Sequence, residues 1–306
     1  MNIKSSILSV SLVLAGTLMS CQPKQQADNA LPDKEIALQL YSIREVLGDS
    51  ARYADNHAEV LPQLREMGYT AVEAANYGNG KFYGITPEQF KADLEEAGLT
   101  ALSSHATRAL NAEELATGNF EEALKWWDEA IPAHKAAGMK YIVSPWTNVP
   151  KNLEEAKVIC DYHSAVGKKV NEAGMKYGYH THSHEFKKID GSDTMWIDYM
   201  MENIAPEDMF WEMDVYWAVM GQNSPVEQIK KYPGRFNLLH IKDLYELGQS
   251  GMVNFEPIFN MSDVAGLEGF VVEQEGTDGS HSIMEGVKMN ADYLRESDFV
   301  KPSYAK

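Results

Sequence analysis

The sequence predicts an eight-stranded α/β barrel, a (β/α)8 fold built as a single domain. The first observation is a repeated unit of a short apolar run, a longer segment with helical spacing and a glycine, which occurs eight times. The second is length, because roughly 270 residues follow the N-terminal segment described below, as such barrels require. The third is the position of ionisable residues at the ends of the apolar runs, where a barrel of parallel strands carries its active site.

The apolar runs predict eight parallel strands, because regular alternation of strands and helices requires crossover connections. The predicted strands are residues 36–41, 71–74, 99–105, 140–146, a fifth that begins near 175, 210–214, 236–242 and 269–275.

Glycines and capping residues predict where the helices begin and end. Thr86 and Pro87 suit an N-cap and a first helical position, and Gly68 suits a helix end. The best defined predicted helices are 60–67, one from 87 to Gly98, 120–137 and 153–173. A doubly wound sheet is disfavoured, because no glycine-rich turn follows the first strand.

The first residues are expected to lie outside the fold. Residues 1–20 have a positive n-region at Lys4 and an apolar core too short to cross a bilayer. Leu18-Met19-Ser20-Cys21 resembles the lipobox of bacterial lipoproteins, which implies cleavage before Cys21 and lipidation of that cysteine. The alternative is an ordinary secretory signal followed by a free cysteine. We expect a lipoprotein signal peptide over 1–20, a flexible tether over 21–34 and the barrel over 35–306, facing the periplasm.

Composition restricts the possible partners. The formal net charge of −18 argues against nucleic acid and against anionic lipid, which are bound through clustered Lys and Arg. Membrane contact is therefore expected through the lipid anchor only, and the oligomeric state stays open. Cys160 alone remains in the mature domain, so no internal disulfide is predicted, and it is expected to be a buried small residue.

Three histidines and a carboxylate lie within the stretch 179–186. If the fifth strand continued through this stretch, its alternation would direct His180, His182 and His184 to one face, with Glu185 where the strand gives way to a loop. This pattern indicates metal-ligand or proton-transfer chemistry. The alternative is a solvated polar loop.

Four potential ligands come from the ends of strands five to eight. Glu185, Asp214, His240 and Glu273 can converge on one divalent cation at the barrel mouth. Carboxylates with one imidazole suit Mn²⁺, Mg²⁺, Co²⁺ or Zn²⁺, and the absence of thiolates leaves the choice open. A single carboxylate at a strand end is as often a helix cap or an ion-pair partner, so the prediction depends on all four occurring in register.

Motifs along most of the chain after the tether resemble the xylose isomerase-like TIM barrel superfamily, specifically its sugar phosphate isomerase/epimerase-like group. The sixth-strand motif and the His-Ile-Lys-Asp motif are the most specific. The matching segments are 40–44 (LYSIR), 67–69 (MGY) with 72–73 (VE), 179–182 (YHTH) with 185–186 (EF), 213–217 (MDVYW), 239–243 (LHIKD) and 271–275 (VVEQE).

The resemblance implies a metal-dependent isomerase or epimerase. It assigns the metal to the same four residues, and it implies that Glu185 and Glu273 serve as acid and base on opposite faces of the substrate. Thr181 stands where asparagine is common, His184 replaces a residue that is often aromatic or apolar, and the loop 248–252 departs from the glycine-rich pattern. Substrate identity is therefore the least transferable inference.

The expected reaction is removal of a proton next to a metal-bound carbonyl of an unphosphorylated sugar or keto-glycoside. An exported, strongly acidic domain without a phosphate loop does not suit phosphorylated sugars. His182, and secondarily His105 and Lys242, are candidates for moving protons on substrate hydroxyls. The candidate substrate-binding residues are Glu73, His180, Trp146 and Trp217, whereas packing explains Trp211 at least as well.

Two alternatives stay open. A lyase or hydratase acting on 3-keto-glycosides shares the proton-removal step and differs in the loss of a β-substituent. A lipid-anchored sugar-binding protein without turnover would keep the same barrel. Cupins are excluded by the long helices, an amidohydrolase by the position of the His-x-His pair, and a zincin because Lys188 stands where its second histidine belongs.

Overall fold

The structure is a computed structural model that describes residues 34–49 and 51–305. The expected signal peptide, Cys21 and nearly all of the tether lie outside the described residues. Eight parallel strands form one sheet in the order β3-β2-β1-β8-β7-β6-β5-β4. They are β1 Ala37–Gln39, β2 Ala71–Ala74, β3 Thr100–Ser104, β4 Tyr141–Ser144, β5 Lys176–His180, β6 Phe210–Asp214, β7 Leu238–Lys242 and β8 Gly269–Glu273.

A parallel bridge between His105 and Val143 joins the end of β3 to β4. This bridge connects the two edge strands and closes the sheet into a barrel, so the predicted (β/α)8 fold is confirmed. A short antiparallel hairpin, Tyr77–Gly78 with Lys81–Phe82, follows β2.

Helices alternate with the strands. They are α1 Arg44–Leu47, α2 Tyr53–Met67, α3 Pro87–Glu96, α4 Ala112–Thr117, α5 Glu121–Ala136, α6 Leu153–Glu172, α7 Trp196–Asn203, α8 Val215–Met220, α9 Pro225–Lys231, α10 Phe255–Phe259, α11 Ser262–Ala265 and α12 Ile283–Glu296, with 3₁₀ turns at Leu40–Ile43 and His184–Phe186. Within the described part of the chain, none of these helices has the length and apolar character needed to cross a membrane.

The predicted caps are present. The Thr86 hydroxyl accepts a hydrogen bond from the backbone N–H of Gln89, and Pro87 opens α3. Gly68 ends α2 at a φ of +108°, which a side chain would strain. Cys160 is buried in α6, as expected of a small apolar residue.

The prediction for the histidine-rich stretch is wrong in one respect. β5 ends at His180, and a 3₁₀ turn begins at His184, so the alternation does not continue to that residue. The main physical reason is the carboxylate of Glu185, which turns back to accept the backbone N–H of His182. That hydrogen bond draws the chain away from the sheet.

Alternation along the strands fills the barrel in layers. At the N-terminal half of the strands, Tyr141, Val143, Phe210 and Leu238 form a compact apolar cluster, separate from the larger core. In β6, Trp211 and Met213 belong to that larger core, so Phe210, Glu212 and Asp214 share the opposite face. The inward-facing side chains nearer the C-terminal ends of the strands are therefore polar, and they lie over the apolar cluster inside the barrel.

Gly178 fixes the contact between β5 and β6. A Cβ at this position would lie 2.4 Å from Cζ of Phe210, closer than any side chain tolerates. The ring of Phe210 therefore fills the space beside β5, and His180 is held two residues further along.

Candidate active site

The candidate site is built by the C-terminal ends of β5 to β8. Register places Asp214 beside His240, and Glu273 beside Lys242. In a parallel sheet such partners lie on adjacent strands at one height, and the inward-facing ones meet inside the barrel. All four side chains are nearly or completely buried.

Four side chains each offer one ligand atom within 4.8 Å of the others: His180, Asp214, His240 and Glu273. Nδ1 of His240 lies 3.4 Å from Oε2 of Glu273 and 4.0 Å from Oδ2 of Asp214. Three of the four predicted metal ligands are therefore brought together. We call these four residues the mouth cluster.

Two atoms of the mouth cluster are buried without a hydrogen-bond partner in the described part of the chain, Oδ2 of Asp214 and Nδ1 of His240. A buried polar atom left unpaired costs free energy, so native proteins rarely keep one without a ligand or water. Burial also raises the pKa of Asp214 to about 7, which shows how strongly this site disfavours an isolated carboxylate. Two carboxylates and two imidazoles suit a divalent cation such as Mn²⁺, Co²⁺ or Zn²⁺.

A deeper pair of glutamates orients the two imidazoles of the mouth cluster. Nε2 of His240 lies 2.8 Å from Oε1 of Glu73, and Nδ1 of His180 lies 3.1 Å from Oε2 of Glu212. Each ring thus binds a carboxylate through one nitrogen, which leaves Nδ1 of His240 and Nε2 of His180 for a ligand. Carboxylates behind ligating imidazoles fix the ring orientation and raise its basicity.

His105 is held by the same two glutamates. Its Nε2 lies 3.0 Å from Oε1 of Glu73 and 3.0 Å from Oε2 of Glu212. Burial opposes the charged form, but the two carboxylates outweigh it and raise the pKa of His105 to about 9. At neutral pH this imidazole is therefore a cation and a donor rather than a base.

Glu185 does not join the mouth cluster, although the sequence predicted it as a ligand. Its carboxylate instead lies within 4.8 Å of ligand atoms of His182 and His184. The hydroxyl of Tyr179 donates to its Oε1 at 2.8 Å, and the backbone N–H of His182 donates to its Oε2 at 2.8 Å. Burial raises the pKa of Glu185 to about 7. Both oxygens are thus occupied inside the protein, and the side chain orders the turn after β5.

His182 faces the mouth of the barrel. Burial, and then the neighbouring His184, lower the pKa of His182 to about 4, so its imidazole is neutral at neutral pH. Within the described residues its Nδ1 has no hydrogen-bond partner. The ring packs edge-on against Trp146 at 5.0 Å and lies 5.9 Å from Trp217.

Lys242 extends from β7 beside the mouth cluster and is 1% exposed. Its Nζ lies 3.4 Å from Oε2 of Glu275 and 6.0 Å from the ring centre of Trp217. The amino group is therefore buried beside the mouth cluster, outside the lining of the cavity at the mouth, and its charge acts on that site through space.

A cavity of about 480 Å³ opens above the mouth cluster. This volume lies in the range that holds small organic ligands. The predicted site residues in its lining are His105, His180, His182 and Glu273, joined by Glu275.

The other predicted contacts divide between the mouth and the interior. Trp146 is 46% exposed at the rim, whereas Trp211 is fully buried against Tyr179, as packing predicted. Glu73 accepts hydrogen bonds from Gln39 and Ser103, so it lies beneath the cavity and does not line it.

Glu212 is the ionisable member of this network that the sequence analysis did not predict. It precedes Asp214 by two residues, so strand alternation puts both carboxylates on the inner face of β6. That spacing of two residues could have indicated Glu212. The prediction considered only the ends of strands, and Glu212 lies inside one.

Comparison with known proteins agrees with this fold and arrangement. Residues 61–297 match the family described as a xylose isomerase-like TIM barrel. A solved sugar phosphate isomerase/epimerase from Parabacteroides distasonis ATCC 8503 is 34% identical, with a TM-score of 0.80 over 89% of this chain and 97% of that one.

More distant relatives differ in their named reactions. An inosose dehydratase from Geobacillus kaustophilus (strain HTA426) is 24% identical over 208 residues, which span 61% of this chain and 61% of that protein. A D-allulose 3-epimerase from Methylomonas sp. is 13% identical and shares the fold, with a TM-score of 0.62 over 87% of this chain and 98% of that one. The family match covers well over half of the sequence, and the chain belongs to the xylose isomerase-like TIM barrel family.

Proposed function

We propose that this protein is a divalent-cation-dependent enzyme that removes a proton beside a carbonyl of an unphosphorylated sugar. One observation carries the proposal: Oδ2 of Asp214 and Nδ1 of His240 are buried without partners among the described residues, next to Glu273, beneath an open cavity. His180, Asp214, His240 and Glu273 would hold the cation.

When bound, a cation supplies positive charge that stabilises an oxyanion and so makes the neighbouring C–H acidic. Glu273 both lines the cavity and belongs to the mouth cluster, so it is our candidate for accepting the proton. His182 presents a neutral imidazole to the same cavity, which suits the transfer of hydroxyl protons. His105, as a cation, and the amino group of Lys242 favour negative charge on the substrate oxygens.

The cavity lining supports an unphosphorylated substrate. Among the described residues that line it, none is Lys or Arg, whereas two are glutamates, Glu273 and Glu275. Within this lining, two carboxylates would repel a phosphate group, and the cationic imidazole of His105 offsets only one of them. Hydroxyl groups can instead donate to the carboxylates and to neutral imidazole.

Isomerisation or epimerisation is the first candidate outcome, in line with the names of two structural relatives. Elimination is the second, and one observation favours it. Glu185 is withdrawn into the turn after β5, so the cavity lining offers the imidazoles of His105 and His182 in place of a second carboxylate from β5. An imidazole there can protonate a leaving oxygen after Glu273 has taken the proton.

The test is incubation in D₂O with aldoses, ketoses and 3-keto-glycosides, followed by NMR. Deuterium entering beside the carbonyl with the skeleton intact identifies an isomerase or epimerase, and release of an aglycone or formation of an enone identifies a lyase. Turnover confined to phosphorylated sugars contradicts the proposal. Sugar binding without any exchange in metal-loaded protein would instead indicate a binding protein.

We also propose attachment to the membrane through Cys21, with the barrel in the periplasm. The support is the lipobox-like sequence that ends at Cys21. Cys21→Ser, expressed in the source cell type, is expected to move the protein from the membrane fraction to the soluble periplasmic fraction. An unchanged membrane fraction contradicts lipidation.

A further inference from the structure

A second cavity, of about 200 Å³, lies beside the mouth. It lies between the loop after β3, helix α4, the loop after β4 and helix α6. Its apolar lining comprises Leu110, Leu115, Val149, Pro150, Ile159 and the ring of Tyr162. An apolar cavity of about 150 Å³ is enough to bind benzene, so this one has room for a single ring.

The polar groups nearest the apolar part of this cavity are engaged, whereas Asn148, Lys151 and Glu155 lie at its edge in the loop after β4 and at the start of α6. The hydroxyl of Tyr162 donates to the carbonyl oxygen of Arg108 at 2.7 Å and accepts from Nε1 of Trp127 at 2.8 Å. The guanidinium of Arg108 is paired with the carboxylate of Glu114 at 2.8 and 3.0 Å. Burial lowers the pKa of His163 to about 4, so that imidazole is uncharged. The walls therefore favour an uncharged apolar group over an anion.

The cavity adjoins the candidate active site. Thr107 lines both cavities, and Trp146 lines this one while it packs against His182 at the mouth. The loop after β4 is also fixed, because the N–H of Thr147 donates to Oη of Tyr179 and its carbonyl oxygen lies 2.8 Å from Nε2 of His184. A preformed wall of this kind binds without a large ordering cost.

We propose that this second cavity is a subsite for an apolar, single-ring substituent of the substrate, so that the substrate class is aryl-substituted keto-sugars rather than free monosaccharides. This inference rests on the proposed function, which places the sugar in the mouth cavity beside His182. The substituent then extends over Thr107 and under Trp146. The subsite explains why a second apolar cavity adjoins a polar one.

The test compares phenyl and methyl 3-keto-β-glucosides in binding and in deuterium exchange. For the wild-type protein we expect the phenyl compound to bind about 10- to 100-fold more tightly, which corresponds to burying one ring. Leu115→Trp fills the cavity and is expected to reduce this preference to near unity, with methyl-glucoside binding unchanged. Met289→Trp, an exposed apolar position on α12, is the matched control and keeps the preference.

Equal affinity of the wild type for both compounds overturns the subsite, as does a Leu115→Trp protein, folded by circular dichroism, that retains the full preference. The two proposals fail separately. Deuterium exchange without a phenyl preference overturns the subsite and leaves the function, whereas a phenyl preference without exchange supports the subsite and overturns the function. Binding of neither compound contradicts both.

Discussion

The two ends of strand β8 carry glutamates in opposite situations. Glu268, just before the strand, accepts hydrogen bonds from Lys176, Tyr141 and Asn237 at 2.6 to 2.9 Å. Glu273, at its other end, belongs to the mouth cluster, where neighbouring buried atoms lack partners among the described residues. Strand β8 thus has a fully hydrogen-bonded glutamate at its N-terminal end and a glutamate beside unpaired buried atoms at its C-terminal end.

The larger of the cavities at the two ends of the barrel is not at the candidate active site. The N-terminal end of the barrel holds a cavity of about 980 Å³, twice the volume at the C-terminal mouth, and Glu268 and Lys176 line it. Glu268 and Lys176 form an ion pair there, however, and Lys34 donates to the carbonyl oxygens of Leu294 and Ser297, so these groups are satisfied without a ligand. Oδ2 of Asp214 and Nδ1 of His240, which lie together at the C-terminal end without partners among the described residues, therefore indicate the site better than volume does, as expected for a barrel whose chemistry lies at its C-terminal face.

The largest expected difference between the two ends is in turnover. Glu273→Gln removes the carboxylate proposed to accept the proton and should slow solvent deuterium exchange by about 10³-fold. Glu268→Gln makes the same chemical change at the other end of β8 and should leave exchange within about twofold of wild type. The measurement is the NMR exchange rate at saturating cation.

If Glu268→Gln abolished exchange while the protein stayed folded, the N-terminal end of β8 would take part in the reaction, contrary to this account. Comparable exchange by Glu273→Gln and wild type would remove Glu273 from the reaction.

The barrel and much of the candidate site could be predicted from the sequence, because strand ends and glycine caps are local features. Asp214, His240 and Glu273 follow apolar runs, and one register places them together. The role of Glu185 could not be predicted in the same way. Its position depends on Tyr179, which faces it because β5 ends at His180.

The contacts of Glu73 and Glu212 with the imidazoles of the mouth cluster also could not be predicted from local sequence features. The contact of Glu73 with His240 joins β2 to β7 across the barrel interior. Neighbouring strands can be inferred from chain order, but contacts across a barrel depend on strand tilt and on the size of the apolar cluster below. The sequence therefore indicated Glu73 as a strand-end residue without indicating that it orients an imidazole.

The second prediction concerns the buried imidazole of His134 in α5, whose Nδ1 lies against the carbonyl oxygen of Ala130 rather than against a carboxylate as in His105. Burial lowers the pKa of His134 to about 4. The unfolded chain, with a pKa of about 6.5, takes up the proton first as pH falls, so stability is full above pH 6.5 and declines toward pH 4, by about 3 kcal/mol in total. His134→Leu should flatten this decline in urea unfolding followed from pH 7 to pH 4. His163 should retain its own contribution, and a slope identical to wild type would contradict the assignment.

The smallest expected effect is on stability without metal. In chelator, Glu268→Gln should lower the free energy of unfolding by about 1–2 kcal/mol, because it weakens three hydrogen bonds. Asp214→Asn should leave it unchanged or raise it, since the amide removes a buried charge and still caps α8 by accepting the N–H of Trp217. Urea unfolding of both variants checks this, and a greater loss for Asp214→Asn would contradict the contrast.

The most direct test of the mouth cluster is its metal content. After loading with Mn²⁺ and desalting, elemental analysis should find about one ion per wild-type chain. Asp214→Asn and His180→Gln should lose most of it, whereas Glu185→Gln and Glu268→Gln should keep it, because their carboxylates lie outside the cluster. A wild-type protein without metal, or loss in Glu185→Gln with retention in His180→Gln, would contradict the account.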